Sequence, residues 1–346
     1  MGAEKILPLG LLCSFLWSCQ SSHPSPVVNW ELDLGPKAIL LRPSVAYDAP
    51  RFAIGAVSPS LRSPERLTVS IVQDGHVISE IDTPITSQGI VKYCLSADGE
   101  KLLVVEGDGR CELWSCVKAD RLARNADRGE ILAVRHLRRD HVFVVLRRNG
   151  TERGSRWEVL DDSSLKSKSY GAVNDDDIYL ASIDNSGIIY EIGMDRQTVR
   201  AFNPISKVPL WNVKVAIPAT TFEVAPSGRY FAVGSLGSLQ IWSVESNSGS
   251  LTTDTGLPQI DEICFLFDDR FVAVTCTELP GNVGQFPNVS GPCPIFDSKS
   301  GNKVYELPIP DCRHINVVND TSGQLLGTTF SNKLYTIAVP NTLAVR

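Results

Sequence analysis

The chain has 346 residues, of which 43% are hydrophobic and 21% are charged, as is typical of a globular protein. Its 39 acidic residues outnumber 33 basic ones, and the formal net charge is −6. The broad basic surface that a phosphate backbone requires is therefore missing, and we expect no nucleic-acid partner. The 26 Gly and 21 Pro, together with many β-branched residues, favour strands and turns over long helices.

The first residues have the layout of a secretory signal. One Lys near the start is followed by an apolar run from Ile6 to Trp17, which contains Pro8 and Gly10. About 20 apolar residues are needed to cross a bilayer as a helix, so this shorter run is not expected to be a permanent transmembrane segment. Residues 1–18 are therefore predicted to be a signal peptide.

The end of this signal resembles a lipobox. Leu16-Trp17-Ser18-Cys19 is similar to the site at which bacterial lipoproteins are cleaved and lipidated on the Cys. The resemblance implies acyl chains on Cys19, a polar tether over residues 19–26, and a protein of the cell envelope that faces the periplasm or the exterior. Each buried CH₂ of an acyl chain contributes about 0.8 kcal/mol to anchoring. The alternatives are ordinary secretion, with cleavage near Ser18 or Ser22, and a wrongly assigned start codon.

One unit recurs through the rest of the chain. It consists of an apolar strand, a turn rich in Asp, Ser and Gly, a second strongly apolar strand, another turn, and a third strand that often carries an aromatic residue. Two copies are clear, Tyr93–Cys116 and Phe222–Val244. The first turn of each unit is marked at intervals of 41 to 54 residues by Pro50, Gly99, Asp140, Gly187, Gly228, Asp269 and Gly323. Seven marks predict seven units.

A period in the forties with four short strands per unit resembles the WD40-like β-propeller, whose blades bury their faces against each other. The resemblance implies an all-β, seven-bladed propeller over residues 27–346. The last unit is one strand short, and Val27–Leu34 is predicted to supply it and close the ring. Trp114 and Trp242 are followed by Ser where WD40 repeats carry Asp. Three segments resemble instead the outer strands of PQQ-type propellers, a group that includes a bacterial outer-membrane assembly lipoprotein: Val28–Glu31, Pro209–Val213 and Lys303–Leu307. Both subfamilies stay open.

Two of the longer spacings indicate insertions, Ser58–Arg66 in the first unit and Glu278–Pro294 in the sixth. Both are rich in Pro and Gly, as surface loops are. Because the function of a rigid ring lies in its loops, we expect the second insertion to contact a partner through Phe286 and Val289.

Seven cysteines follow Cys13 and Cys19, and in an oxidising compartment they would form at most three disulfides. A bridge between Cys276 and Cys293 would clamp the neck of the second insertion. Cys94 and Cys111 are predicted on neighbouring strands of the second unit. The alternative is that these cysteines are small buried apolar residues.

No motif for catalysis occurs in the sequence. Nucleophile elbows, phosphate loops and dinucleotide loops are absent, as are Cys and His pairs with zinc-site spacing. The five histidines are scattered and are predicted at turns or on the surface. We therefore expect no enzyme activity, no cofactor and no metal. The alternatives are a lactonase-like hydrolase with a metal in the central channel, and a PQQ-type periplasmic protein.

Arginines concentrate in the second and third units and predict a basic sector on an otherwise acidic ring. Such a sector would bind anionic lipid head groups or an acidic partner. The alternative is that these arginines are solvated residues of strand edges, where their positive charge prevents pairing with other chains. The sector comprises Arg124, Arg128, Arg138, Arg139, Arg147 and Arg148. Together these features predict a monomeric, non-catalytic propeller that binds or scaffolds other proteins and meets the membrane through its lipid anchor.

Overall fold

The computed structural model describes residues 27–33, 39–57, 66–85, 91–126, 129–148, 154–173, 178–204, 206, 208–245, 250–276, 293–307, 309, 312–319, 324–329 and 333–338. Within these ranges the secondary structure consists of strands and turns, with no helix. The predicted signal peptide, the tether and Cys19 lie outside the described residues.

The strands form seven small antiparallel sheets, and each sheet is one blade. Blade 1 contains β2 (Ile39–Leu40), β3 (Ser44–Val45), β4 (Arg51–Val57), β5 (Arg66–Gln73) and β6 (His76–Pro84), and it follows β1 (Val27–Asp33) in the chain. Blade 2 contains β7 (Lys92–Leu95), β8 (Lys101–Val105), β9 (Cys111–Ser115) and β10 (Arg121–Asn125). Blade 3 contains β11 (Glu130–Leu137), β12 (Val142–Arg148), β13 (Ser155–Asp161) and β14 (Ser167–Val173).

The second half of the chain repeats this arrangement. Blade 4 contains β15 (Ile178–Ile183), β16 (Ile189–Gly193), β17 (Thr198–Asn203) and β18 (Val208–Lys214). Blade 5 contains β19 (Thr221–Val224), β20 (Tyr230–Gly234), β21 (Ser238–Ser243) and β22 (Ser250–Asp254). Blade 6 contains β23 (Glu262–Leu266), β24 (Phe271–Thr275), β25 (Cys293–Asp297) and β26 (Lys303–Leu307). Blade 7 contains β27 (Cys312–Asn319), β28 (Gln324–Thr329) and β29 (Lys333–Ala338), and β1 lies at its outer side.

The blades are arranged in a ring around an axis. The innermost strand of each blade, which is β3 in blade 1 and the first strand in the others, contacts that of the next blade, and a contact between β27 and β3 completes the circle. Strands of a blade are counted outward from this inner strand. The structure is therefore a seven-bladed β-propeller, which confirms the fold class predicted from the repeat. The three segments that resemble PQQ-type outer strands are the outermost strands of blades 7, 4 and 6.

Apolar residues fill the seven seams between neighbouring blades, with one cluster of buried side chains in each seam. Alternate residues of a strand point to opposite faces of its sheet. In β8, Leu102 packs in the seam with blade 1, whereas Leu103 packs in the seam with blade 3. Because both faces of a blade are covered, its second strand reads as a continuous apolar run.

The predicted turn marks lie between the first and second strands of their blades. Gly99, Gly187 and Gly228 have φ values of 70°, 83° and 75°, and Asp269 has φ 64°. These values lie in the left-handed region, which glycine adopts at little cost and Asp tolerates better than most residues. These four marks therefore recur because a tight turn follows the inner strand of blades 2, 4, 5 and 6, whereas Gly323 lies outside the described residues.

The strand β1 runs antiparallel to β29, with Val27 opposite Ala338 and Asp33 opposite Lys333. A separate apolar cluster joins blade 7 to blade 1, and it includes Leu40, Phe52 and Leu334. The register alone does not test whether β1 stabilises the closed ring, so the closing role of β1 stays a prediction.

The ring surrounds a central channel with two ends, which we define by the direction of the inner strands. The start face is the end where these strands begin, for example at Lys92, and the end face is where they finish. Both predicted insertions connect the second and third strands of their blades. The second strand runs antiparallel to the inner strand, so the strand ends beside the insertions lie on the start face. Arg66, Cys293 and Pro294 belong to strands, and the insertions are accordingly shorter than predicted. Phe286 and Val289 lie outside the described residues.

Candidate functional site

The ring encloses a central cavity of about 920 Å³, to which all seven blades contribute residues. Much of the wall consists of apolar or hydroxyl-bearing residues, such as Ser44, Leu132, Val134, Ala181, Ser182 and Phe265. Cavities of roughly 300–1,000 Å³ are the usual size of small-molecule sites. The channel is therefore a candidate site for a ligand.

A charged side chain crosses the channel. Arg42, from the segment between β2 and β3, places its Nη1 3.0 Å from Oε2 of Glu223 and its Nε 2.8 Å from Oε1 of Glu262. The Arg42 side chain keeps 41% of its surface exposed, and this surface faces the channel that it lines. Burial lowers the pKa of Arg42, but the two carboxylates together raise it above its usual value. The charged guanidinium thus ties blade 1 to blades 5 and 6.

Both carboxylates have further partners. His314 of blade 7 places Nδ1 2.6 Å from Oε2 of Glu262 and Nε2 3.4 Å from the carbonyl oxygen of Leu40. The hydroxyl of Ser182 in blade 4 donates to Oε1 of Glu223 over 3.3 Å. The resulting network, which we call the axial network, consists of Arg42, Ser182, Glu223, Glu262 and His314. It connects five blades.

Lys92 lines the same channel from blade 2. Its ammonium donates to the carbonyl oxygen of Leu132 in blade 3. Burial lowers the pKa of Lys92, and the nearby Glu130 carboxylate opposes this effect. No carboxylate of the described residues lies within ion-pair distance of its Nζ.

An exposed aromatic residue and an arginine lie together at the end face. Tyr47 is 52% exposed, and the guanidinium of Arg135 lies 5.2 Å from the centre of its ring. Arg135 also donates to the Tyr47 hydroxyl and, through Nε, to Oδ1 of Asn185 over 3.1 Å. Beside them Arg138 places Nε 2.7 Å from Oδ2 of Asp48. We call Tyr47, Asp48, Arg135 and Arg138 the end-face cluster.

The prediction that histidines lie at turns or on the surface was wrong for His136. This side chain is only 5% exposed. Its Nδ1 accepts a hydrogen bond from the backbone N–H of Ala97 over 3.0 Å, so Nε2 carries the proton and faces Oδ2 of Asp162 at 3.2 Å. Burial lowers the pKa of His136 although Asp162 favours the charged form. His136 therefore fastens blade 3 to blade 2 as a neutral ring.

Most arginines of the predicted basic sector are paired with carboxylates. Arg124 lies 3.6 Å from Glu112, and Arg148 lies 2.7 Å from Glu130. Arg147 has no exposed surface, and its Nε lies 3.2 Å from Oε2 of Glu158. Arg138 contacts Asp48, Arg139 is an exposed turn residue, and Arg128 lies outside the described residues. These contacts offset part of the positive charge, and the role of the sector at a surface stays a prediction.

No disulfide joins the seven cysteines of the described residues, so the predicted bridge between Cys276 and Cys293 is not formed in the structure. Cys94 lies on β7 and Cys111 on β9, with β8 between them, so the prediction of neighbouring strands was wrong. Among the described residues, no three or more His, Cys, Asp or Glu side chains are grouped so as to hold a metal ion. Nor does a helix long and apolar enough to cross a bilayer occur in those ranges.

The axial network was missed by the sequence analysis, although part of its signal was present. In the two clear repeat copies Glu223 aligns with Cys94, which places a carboxylate in the middle of a buried inner strand. Arg42 gave no comparable signal, because it lies in an irregular segment between two strands of two residues each. A search against models of known protein families found no match, and a search of curated proteins found no similar sequence.

Proposed function

We propose that this propeller is a non-catalytic module that binds another protein through its end-face cluster. The observation that carries the proposal is the exposed Tyr47 ring beneath the Arg135 guanidinium at the mouth of the channel. Tyr and Arg are enriched among the residues that dominate the energy of protein interfaces.

The position of Tyr47 is fixed by its backbone. The N–H of Ala46 donates to the carbonyl oxygen of Arg51 over 2.9 Å, and the N–H of Asp48 donates to that of Ala97 over 2.8 Å. The second bond joins the turn to blade 2. A contact residue that is already held in place loses little conformational entropy on binding, which favours affinity.

The charge of the cluster indicates the chemistry of the partner. Arg135 contacts the neutral groups of Tyr47 and Asn185, and Arg138 keeps 70% of its side chain exposed beside Asp48. A partner with carboxylates opposite these guanidinium groups would form charge-assisted hydrogen bonds. We infer an acidic protein segment as the partner, with an association rate that falls as salt rises.

The axial network favours a structural role for the channel over hydrolysis. A metal-dependent hydrolase needs carboxylates and imidazoles that are free to bind the metal. Glu223 and Glu262 instead hold Arg42, and His314 contacts Glu262.

Site-specific photo-crosslinking tests the proposed binding surface. A photoreactive amino acid is placed at Tyr47, at Phe286 in the predicted contact loop, and at Tyr170, an exposed tyrosine of the outer strand of blade 3 that serves as the control. We expect one discrete crosslinked protein from position 47 and none from position 170. Crosslinking from position 286 with none from position 47 would move the contact from the end-face cluster to the insertion of blade 6.

The location at the cell envelope is also a proposal, and it rests on the lipobox-like segment that ends at Cys19. In cells that produce the full chain, Cys19→Ser should move the protein from the membrane fraction to the soluble fraction. Ser18→Ala keeps the cysteine and serves as the matched control. Unchanged membrane association of Cys19→Ser would show that the chain is not held by this anchor.

A further inference from the structure

Three buried cysteines lie together in the seam between blades 6 and 7. Cys264, Cys293 and Cys312 come from β23, β25 and β27, and they share one apolar cluster. Their exposed fractions are 4%, 1% and 1%. Two strands of one blade and the inner strand of the next therefore direct thiols into the same seam.

The strand register places Cys293 and Cys312 at the same end of this seam. Cys293 begins β25 and is paired across the sheet with Leu307 in β26. Leu307 is followed five positions later by Cys312, which begins the inner strand of blade 7. Both thiols lie in the same buried cluster, and Cys312 is the neighbour that most raises the pKa of Cys293. Cys312 also directs its Sγ toward the carbonyl oxygen of His314 at 3.8 Å.

Cys276 faces a different part of the molecule. Its thiol interacts with the backbone of Gln259, which belongs to the connection between blades 5 and 6. The cysteine predicted as the partner of Cys293 thus faces the preceding seam, whereas Cys312 packs in the same buried cluster as Cys293.

We propose that Cys293 and Cys312 form a disulfide across the seam between blades 6 and 7 when the chain folds in the presence of a disulfide oxidant. One cysteine, as its thiolate, attacks the oxidant disulfide, forms a mixed disulfide and releases one thiol. The second cysteine then attacks the mixed disulfide and releases the other thiol. Two cysteine thiols are oxidised to one disulfide, and one oxidant disulfide is reduced to two thiols.

The burial of the seam determines when this reaction occurs. The thiolate is the reactive form, and the neighbouring Cys312, together with burial, raises the pKa of Cys293. The folded, reduced protein should therefore react slowly. The bond should form rapidly during folding, before blade 7 packs onto blade 6.

Peptide mapping after oxidative refolding tests the proposal on the wild-type chain. The reduced, unfolded protein is refolded with a mixture of reduced and oxidised glutathione, alkylated, and digested with trypsin without reduction. Trypsin cleaves after Arg270, Lys299, Lys303 and Arg313, so Cys276 and Cys293 share one peptide and Cys312 lies in another. We expect a linked pair of these two peptides, lighter than their sum by two hydrogen atoms.

Single substitutions identify the bonded atoms. Cys276→Ser and Cys264→Ser should keep the linked pair, whereas Cys293→Ser and Cys312→Ser should lose it. The oxidised wild type should also unfold at a higher urea concentration than the reduced wild type, and Cys312→Ser should show no such difference. Alkylation of both Cys293 and Cys312, or a bridge within the peptide that holds Cys276 and Cys293, would overturn the proposal.

Discussion

Arg147 is the largest fully buried side chain of the described residues, and it lies between blades 2 and 3. Its Nε contacts Glu158 at 3.2 Å, and its Nη2 donates to Sγ of Cys111 over 3.2 Å. Arg147→Met removes the cation and leaves a buried carboxylate, so we expect the free energy of unfolding to fall by about 3–5 kcal/mol. Urea denaturation measures this loss.

An exposed ion pair provides the control for this substitution. Arg66 and Asp82 form a pair in which the side chains are 61% and 47% exposed. Arg66→Met should lower the free energy of unfolding far less than Arg147→Met does, because water and salt screen such pairs. Equal losses for Arg147→Met and Arg66→Met would show that burial of Arg147 carries no special cost.

His136 predicts a dependence of stability on pH. Burial lowers its pKa from the ordinary 6.5 in the folded state, so the unfolded chain binds the proton first as pH falls. Its contribution to stability is complete above pH 6.5 and declines as pH falls through 6.5 toward the folded-state pKa. Unfolding free energies measured at about pH 7.5 and about pH 5.5 should therefore differ less in His136→Gln than in the wild type. An unchanged difference would mean that other groups cause the pH dependence.

At the scale of elements, the turn between β8 and β9 depends on close backbone packing. Gly109 has φ 91°, and a Cβ there would collide with the carbonyl oxygen of Gly129 and lie 2.8 Å from its nitrogen. Gly256 has φ 72°, and a Cβ there would meet no atom within 4 Å. Gly256→Ala should cost about 1–2 kcal/mol from backbone strain alone. Gly109→Ala should cost a further 2 kcal/mol or so, because backbone atoms must move.

Urea denaturation of the two variants measures this difference directly. Similar losses for both alanine variants would show that the backbone around Gly109 relaxes without cost.

The strand β1 is expected to stabilise the last blade. Its pairing with β29 satisfies backbone groups that would otherwise form an open sheet edge. Deleting residues 1–33 should lower the free energy of unfolding by about 1 kcal/mol for each backbone hydrogen bond lost, and it should increase self-association. Deleting residues 1–26 leaves β1 in place and is the matched control. Urea denaturation and light scattering measure the two effects, and equal behaviour of both truncations would contradict the closing role.

The sequence predicted the elements well where local chemistry requires particular residues. The turn marks Gly99, Gly187 and Gly228 were identifiable because a left-handed turn favours glycine. Cys94 and Cys111 were predicted on neighbouring strands, but β8 lies between their strands. The apolar sequence of β8 does not by itself show whether it continues a neighbouring strand or forms a separate one.

At the scale of the whole molecule, seven units could be predicted from the period because each blade repeats one strand pattern. The axial network could not be predicted in the same way. Arg42 and Glu262 are far apart in the chain and meet only because the ring brings blades 1 and 6 around one axis. The end-face cluster is similar, since Tyr47 and Arg135 come from blades 1 and 3. Local patterns predict the blades, whereas closure of the ring creates the sites.

The central claim is that the end-face cluster binds a protein, and the affinity of single variants for the crosslinked partner tests it most directly. Tyr47→Ala and Arg135→Ala should each weaken binding by at least about tenfold, as expected for interface residues that contribute more than 1 kcal/mol. Tyr170→Ala, on the outer strand of blade 3, should leave the affinity unchanged. Full affinity in both end-face variants, with folding intact by circular dichroism, would contradict the account.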